Sequence, residues 1–272
     1  MTTTREVPTP DLRIVSTGSL KPHEEHDMQR SVPLIESLKS AHIMINPPLV
    51  APMSNGDYVI LDGANRAYCF SALNYPHILV QVASYDSGLI ELDNWQHVVA
   101  GWNADEFIRH LRSLPDITVI EGDSDGAIAY LHLRDGQIIS LHAPVNSLHE
   151  RNAALRNVVG VYQKNAALHR TTLTDTGAVG SLYPDAIALV VFPRYEPDDI
   201  MEAAKAHAYL PPGISRHIVD GRAIRVNYPL EFLRDPDKDL HEKNEILRRW
   251  MQEKLASRQI RYYAEGTYQF DE

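Results

Sequence analysis

Tyr58-Val59-Ile60-Leu61-Asp62-Gly63-Ala64-Asn65-Arg66 runs from an apolar strand through a glycine turn into a helix that begins near Asn65. The first N–H groups of a helix have no intrahelical partners, and the aligned peptide dipoles favour negative charge there. A phosphate can therefore dock on Gly63, Ala64 and Asn65, with Arg66 as its counter-ion. Asp62 is then free to hold a divalent metal. A carboxylate beside a phosphate is costly unless a cation lies between them, and Mg²⁺ usually reaches proteins through one or two carboxylates plus substrate phosphates. Asp-Gly is also a common turn dipeptide, so these residues by themselves are equally readable as a surface turn.

Around this stretch the pattern is that of a small α+β unit. A strand is expected at Leu12 to Ser16, then a loop over Leu20 to Glu25, and a helix over Val32 to Ala41 with Leu34, Ile35 and Leu38 at helical spacing. Strands are expected next at Pro48 to Met53 and Tyr58 to Asp62, turned by Asn55-Gly56, then a helix from Asn65 to Leu73 and a strand from Ile78 to Val82. Beyond Tyr85 the texture changes. Helices are expected at Ala104 to Leu114, within Ser147 to Leu168, at Pro197 to Ala208 and at Leu240 to Ala256. Strands are expected at Ile117 to Ile120, Ile128 to Leu133, Gln137 to Leu141 and Ile187 to Phe192. A further hairpin, Ser215 to Val219 with Ala223 to Val226, turns on Asp220-Gly221, and a last strand is expected at Tyr262 to Phe270. No repeat or low-complexity linker separates the parts, so two α+β domains, 1–85 and 86–272, are expected to pack closely.

At 272 residues the chain has room for two domains, and 44% apolar residues is ordinary for a globular protein. A formal charge of −10 argues against a large sequence-independent nucleic-acid footprint, which is normally basic. Cys69 is the sole cysteine, which excludes an intramolecular disulfide and a thiolate zinc cluster and makes the cytoplasm the expected compartment. Met1 to Thr9 is polar, and no apolar run approaches the roughly 20 residues of a membrane span, so no membrane partner is expected.

Three segments taken together, Leu20-Lys21-Pro22-His23-Glu24, Asn46-Pro47-Pro48-Leu49-Val50 and Asp62-Gly63-Ala64-Asn65-Arg66, resemble the ParB/sulfiredoxin fold. Within that fold the chain looks most like the free serine kinases, whose signature is a His-Glu in the first loop and an Asp-Gly-x-His-Arg phosphate loop. Trp95-Gln96-His97 and Pro212-Gly213-Ile214-Ser215-Arg216-His217 resemble segments of the siderophore-pathway branch of those kinases. The resemblance implies transfer of a phosphoryl group from ATP or ADP, with Mg²⁺, to free L-serine, giving O-phospho-L-serine. It assigns Glu24 as catalytic base, Asp62 as the acidic residue at the metal and phosphates, and Arg66 as a phosphate-binding arginine. Asn65 departs from the family histidine. Its amide can still donate to a phosphate, but a positive charge or a titrating ring is lost. Ser215 stands where relatives often have threonine, keeping the hydroxyl.

The same chemistry can be argued from residue types. Phosphoryl transfer asks for positioning, charge neutralisation and an in-line hydroxyl. Glu24 can accept the acceptor's proton, Arg66 and the helix start can hold the donor, and Arg216 can clamp an amino-acid carboxylate beside a wall formed by Trp95. Ser215 and His217 belong to the same expected acceptor region, and Arg30, at the start of the first helix, is a further candidate for the phosphates. Each has a plainer reading: Glu24 as one of many surface carboxylates, Trp95 as core, Arg30 in a solvent ion pair. His23 and His26 lack the spacing of a zinc site. A DNA-binding nucleotide switch of the ParB type would need a Gly-Glu-Arg-Arg loop and a basic helix-turn-helix, neither of which is visible. A sulfiredoxin-like reductase would need cysteine where Ala64 stands. A nucleotide-binding regulator without turnover remains as the alternative, and Asn65 is its only sign.

Overall fold

The computed structural model describes residues 8–26 and 28–263. The described residues divide into two compact units whose segments interleave: one takes 8–21, 28–91 and 219–263, the other 22–26 and 92–218. The expected break at residue 85 differs from this division in two ways. The chain from residue 219 onward returns to the first unit, and the five residues that carry His23 and Glu24 belong to the second.

The chain opens with β1 (Asp11–Ser16), β2 (Leu20–Pro22), α1 (Met28–Ser40), β3 (Ile43–Met44), β4 (Leu49–Pro52), β5 (Tyr58–Asp62), α2 (Ala64–Ala72) and β6 (His77–Val82). Five strands form a mixed sheet in the order β1-β6-β4-β5-β2, with β6 antiparallel to β1 and parallel to β4, and β4 antiparallel to β5. Helix α1 starts four residues before the expected Val32. Pro33 lies inside it; a proline there forfeits one backbone hydrogen bond, but its fixed φ is helical, so the helix continues. Val50, Ile60, Phe70, Ile78, Leu79 and Val80 make the centre of this unit's core.

The chain then runs through β7 (Ile90–Asn94), β8 (Gln96–Ala100), α3 (Ala104–Arg112), β9 (Thr118–Glu121), β10 (Ala129–Leu133), β11 (Ile138–His142), α4 (Leu148–Asn165), β12 (Ala167–Thr171), α5 (Thr176–Leu182), β13 (Ala186–Val191), α6 (Pro197–Lys205) and β14 (Ser215–Val219). Six of these strands make the second unit's sheet, ordered β12-β8-β13-β10-β11-β9, with every neighbouring pair antiparallel. Helix α4 is capped by Ser147, whose hydroxyl accepts from Glu150 N–H, and it buries Leu155, Val158, Val159 and Tyr162. The interior strand β8, second in the sheet, is buried along its whole length and was absent from the sequence expectation. Its first two residues, Gln96 and His97, are polar, so the run does not read as an apolar strand.

The chain re-enters the first unit with β15 (Tyr228–Pro229), α7 (Leu230–Arg234) and α8 (Leu240–Ala256). Leu230, Leu233 and Leu247 complete the core begun by the N-terminal strands, and the Asn244 side chain bonds both backbone groups of Ile14 on β1. The expected hairpin on Asp220-Gly221 does not form. Strand β14 pairs with β7 instead, and residues 222–227 are irregular, with Arg225 and Asn227 at positive φ, which a strand cannot accommodate. Tyr262 and Tyr263 are not in a strand, and the remainder of the expected strand to Phe270 lies outside the described residues. No helix among the described residues is long and apolar enough to cross a membrane.

Candidate functional site

In the first unit, β5 ends on Asp62 and the chain turns into α2 through Gly63, which sits at φ 90°. Glycine is required there twice over. The conformation is left-handed, and a Cβ would come within 3.1 Å of Pro48 Cα and 3.3 Å of Arg66 Nη1. The Arg66 guanidinium thus lies back over the turn, at the helix N-terminus where the orphan N–H groups of Ala64 and Asn65 point. The buried Ser31 on α1 donates its hydroxyl proton to Asn65 Oδ1 at 3.0 Å, which fixes the amide's orientation at the head of the helix. Arg30 is exposed on α1 and enters none of these contacts. Cys69 is fully buried on α2, and burial pushes its thiol up in pKa, so it stays protonated rather than nucleophilic.

Asp62 Oδ2 accepts from Arg222 Nη2 at 3.0 Å. Asp62 is 60% exposed and Arg222 only 21%. Among the described residues no group of three or more His, Cys, Asp or Glu side chains is arranged to hold a metal ion. A single exposed carboxylate at a helix start fits Mg²⁺, which takes one or two carboxylates and completes its shell with phosphates and water. Asp62 would be its protein ligand.

The second unit holds the other candidates. The segment 23–25 forms a short parallel bridge with Leu210, through Leu210 N–H to His23 O at 2.9 Å and Glu25 N–H to Leu210 O at 3.0 Å. Successive side chains of this extended segment point to opposite sides. Glu24 Oε2 accepts from Gly213 N–H at 2.9 Å, whereas Glu25 pairs with Arg156 at 3.4 Å. Gly213 is held from its other end as well: its carbonyl contacts His97 Nε2 at 2.9 Å, and His97 Nδ1 lies 2.7 Å from Tyr162 Oη. Only an Nε2–H tautomer can donate to a carbonyl, so Tyr162 O–H must be the donor to Nδ1. Burial pushes the imidazole down to about 4 and the Tyr162 phenol well above its ordinary pKa, so both stay neutral. A chain of neutral hydrogen bonds therefore runs from α4 through β8 to the peptide that carries the Glu24 contact.

Beside it, the buried His23 shares a 2.6 Å hydrogen bond between Nε2 and Ser215 Oγ, and its ring stands edge-on to His217 with centroids 5.5 Å apart. Trp95 N–H donates to Ile214 O at 2.8 Å. The Arg216 guanidinium lies over the Trp95 ring, 4.8 Å from its centroid, and meets Asp93 Oδ2 at 3.4 Å. Glu24, Ser215, Arg216, His217 and Trp95 are thus gathered into one unit by contacts with segment 210–217. Sequence reasoning missed Arg222, Asp93 and the role of His97. Arg222 was hidden by the expected hairpin. Asp93 and His97 carry no local signal, because their partners lie more than sixty residues away.

No family model matches the chain. The ATP-dependent L-serine kinase SbnI of Staphylococcus aureus is 23% identical over 273 residues, spanning 94% of this chain and 96% of SbnI. A structure of the C-terminally truncated SbnI superposes with a TM-score of 0.69 at 20% identity, covering 90% of this chain and 96% of that one. A free serine kinase in complex with AMP gives 0.70 at 18%, covering 85% and 97%. This chain has the fold of a free serine kinase. A variant of that kinase with a glutamate replaced by glutamine, also in complex with AMP, superposes with a TM-score of 0.71 at 17% identity. The matched length takes in both units, so the likeness is not confined to the phosphate loop.

Proposed function

We propose that this chain is a kinase for free L-serine that transfers a phosphoryl group from ATP or ADP to the serine hydroxyl, giving O-phospho-L-serine. The observation that carries the reading is the near full-length likeness to an ATP-dependent L-serine kinase. In this reading the first unit is a ParB/sulfiredoxin-like nucleotide-binding domain, with Gly63, Ala64, Asn65 and Arg66 at the donor phosphates. The second unit supplies the acceptor groups.

The serine Oγ attacks phosphorus, the bond from phosphorus to the bridging oxygen of the donor breaks, and the nucleotide departs one phosphate shorter. The hydroxyl proton goes to the Glu24 carboxylate as the new O–P bond forms. Gly213 N–H orients that carboxylate, and the replaced glutamate in the related kinase is consistent with an important acid in this family. When bound, Mg²⁺ supplies positive charge to the phosphate oxygens. Arg66 and the α2 start add the rest. Arg216 is suited to the serine carboxylate in bidentate geometry, and Trp95 to its wall.

Incubating the purified protein with L-serine, Mg²⁺ and either ATP or ADP should yield phosphoserine by mass spectrometry and phosphorus NMR. L-Serine methyl ester should be a much poorer acceptor. Nucleotide binding with no phosphoserine would favour the second reading, a nucleotide-binding regulator without turnover. That reading draws on Asn65, whose amide oxygen is engaged by Ser31 where the family has a titrating ring.

A further inference from the structure

Arg222 is held at one place by four contacts within the first unit. Its Nη2 donates to Pro47 O at 2.7 Å and to Asp62 Oδ2 at 3.0 Å, and its Nη1 to Gln81 Oε1 at 3.1 Å and Ala223 O at 3.4 Å. Gln81 is itself buried on β6 and grips the same loop twice more, accepting from Ala223 N–H at 2.8 Å and donating to Gly221 O at 3.0 Å. Pro47 precedes the proline whose Cα lies against Gly63. The guanidinium therefore sits among the β4 approach, the phosphate loop and the loop after β14.

An ion pair with so exposed a carboxylate contributes little to stability by itself. The backbone carbonyl and the buried amide are what keep Arg222 in place, and their hold does not depend on Asp62. The constraint thus runs from arginine to aspartate: a rigid fork with a fixed charge selects one rotamer of a side chain that would otherwise sample several. The fork uses Oδ2, and a carboxylate has a second oxygen for a cation. A fixed positive charge at that distance also opposes a bare divalent ion. Phosphates arriving with the ion relieve that opposition.

We propose that Arg222 is the positioning residue of the nucleotide site. It holds Asp62 ready for a cation that comes with the donor phosphates, and it disfavours the cation alone. This rests on the reading of Asp62 as metal ligand.

The test is a double-mutant cycle of Asp62→Asn and Arg222→Gln, read by calorimetry with Mg²⁺·ADP and, separately, with Mn²⁺ alone by electron paramagnetic resonance. Arg222→Gln should weaken Mg²⁺·ADP by about tenfold while tightening Mn²⁺ alone. Adding it to Asp62→Asn should cost nothing further, because its effect passes through the carboxylate. Arg222→Lys, which keeps the charge without the fork, should recover part of the loss and serves if Arg222→Gln does not fold. Additive losses, or unchanged affinities in folded Arg222 variants, would overturn the proposal, and so would a wild-type protein that binds no Mg²⁺·ADP. A wild-type protein that binds Mg²⁺·ADP yet forms no phosphoserine would sink the kinase reading and leave the cycle to decide on Arg222.

Discussion

The phosphate loop and the Glu24 cluster are built in opposite ways. The first is largely local: Asp62 to Arg66 are contiguous, their backbone is placed by a strand end, a left-handed glycine and a helix start, and the Asp62 and Asn65 side chains are held from afar, by Arg222 and Ser31. The second is assembled from distant pieces. Glu24 reaches Gly213 across 189 positions, and Gly213 is held by His97 across 116. A largely local site tolerates most change elsewhere in the chain, its few remote contacts apart, and fails when its own turn is altered. An assembled site inherits the fate of every element that brings it together.

The sharpest way to break this contrast is through the two glutamates. Glu24→Gln can still accept from Gly213 N–H but cannot take a proton, so serine turnover should fall by about 10²- to 10⁴-fold with nucleotide affinity nearly unchanged. Glu25→Gln, which loses only the partly exposed pair with Arg156, should be mild. If Glu25→Gln is the dead enzyme, the base moves by one residue; if both keep full activity, this loop has no part in the reaction.

The second prediction is a pH dependence that the assembled region contributes. His97 is neutral in the fold with its pKa pushed down to about 4, against an ordinary 6.5. The unfolded chain therefore binds more protons than the native one between these values. Stability from this group is fully present above about pH 6.5 and is lost as pH falls towards 4, by about 3 kcal/mol in all. Urea denaturation of wild type and His97→Gln across this window should show the slope flattened in the variant. Equal slopes would mean that the imidazole is not buried neutral.

Third, Arg66→Ala should weaken ADP binding about ten- to a hundredfold, the cost of one charge-assisted contact. Calorimetry showing unchanged affinity in the folded variant would remove the loop from the nucleotide site. The smallest effect separates two glycines. Gly63→Ala and Gly213→Ala each place a side chain at positive φ, at roughly 1–2 kcal/mol. At Gly63 the new Cβ also presses on Pro48, which must give by a small amount, whereas at Gly213 it overlaps the Arg170 guanidinium, so that side chain must leave its place. Gly213→Ala should therefore be the less stable of the two in urea. The reverse order would mean that Arg170 gives up its place at little cost.

The same contrast explains what the sequence made legible. Asp62-Gly63 could be read because a turn and a helix start are decided by neighbours, and α8 was expected with the bounds it has, Leu240 to Ala256. Strand β8 could not be read. Gln96 and His97 look like surface residues until Phe192 N–H is seen to donate to Gln96 Oε1 and Gly213 O to accept from His97. The Asp220-Gly221 turn exists, but the residues after it are bonded to remote partners: Ala223 N–H donates to Gln81 and Arg225 N–H to Asn46. Those partners override a hairpin that local pattern alone would favour. Among the acceptor candidates, Trp95 and Arg216 were expected as a pair, while the Asp93 carboxylate that holds Arg216 was not.

The bond pair between Asn244 and Ile14 joins residues 230 positions apart. A ribosome adds roughly 5–20 residues per second, so β1 waits about 10 to 50 seconds after leaving the peptidyl-transferase centre before its helical cover exists. Over that interval the sheet that ends in the phosphate loop is open along the face that Leu230, Leu233 and Leu247 later close. The antiparallel sheet of residues 92–218 is by then already synthesised. In the growing chain Trp95, Arg216 and their neighbours can be in place before the Asp62–Arg66 loop has its finished support.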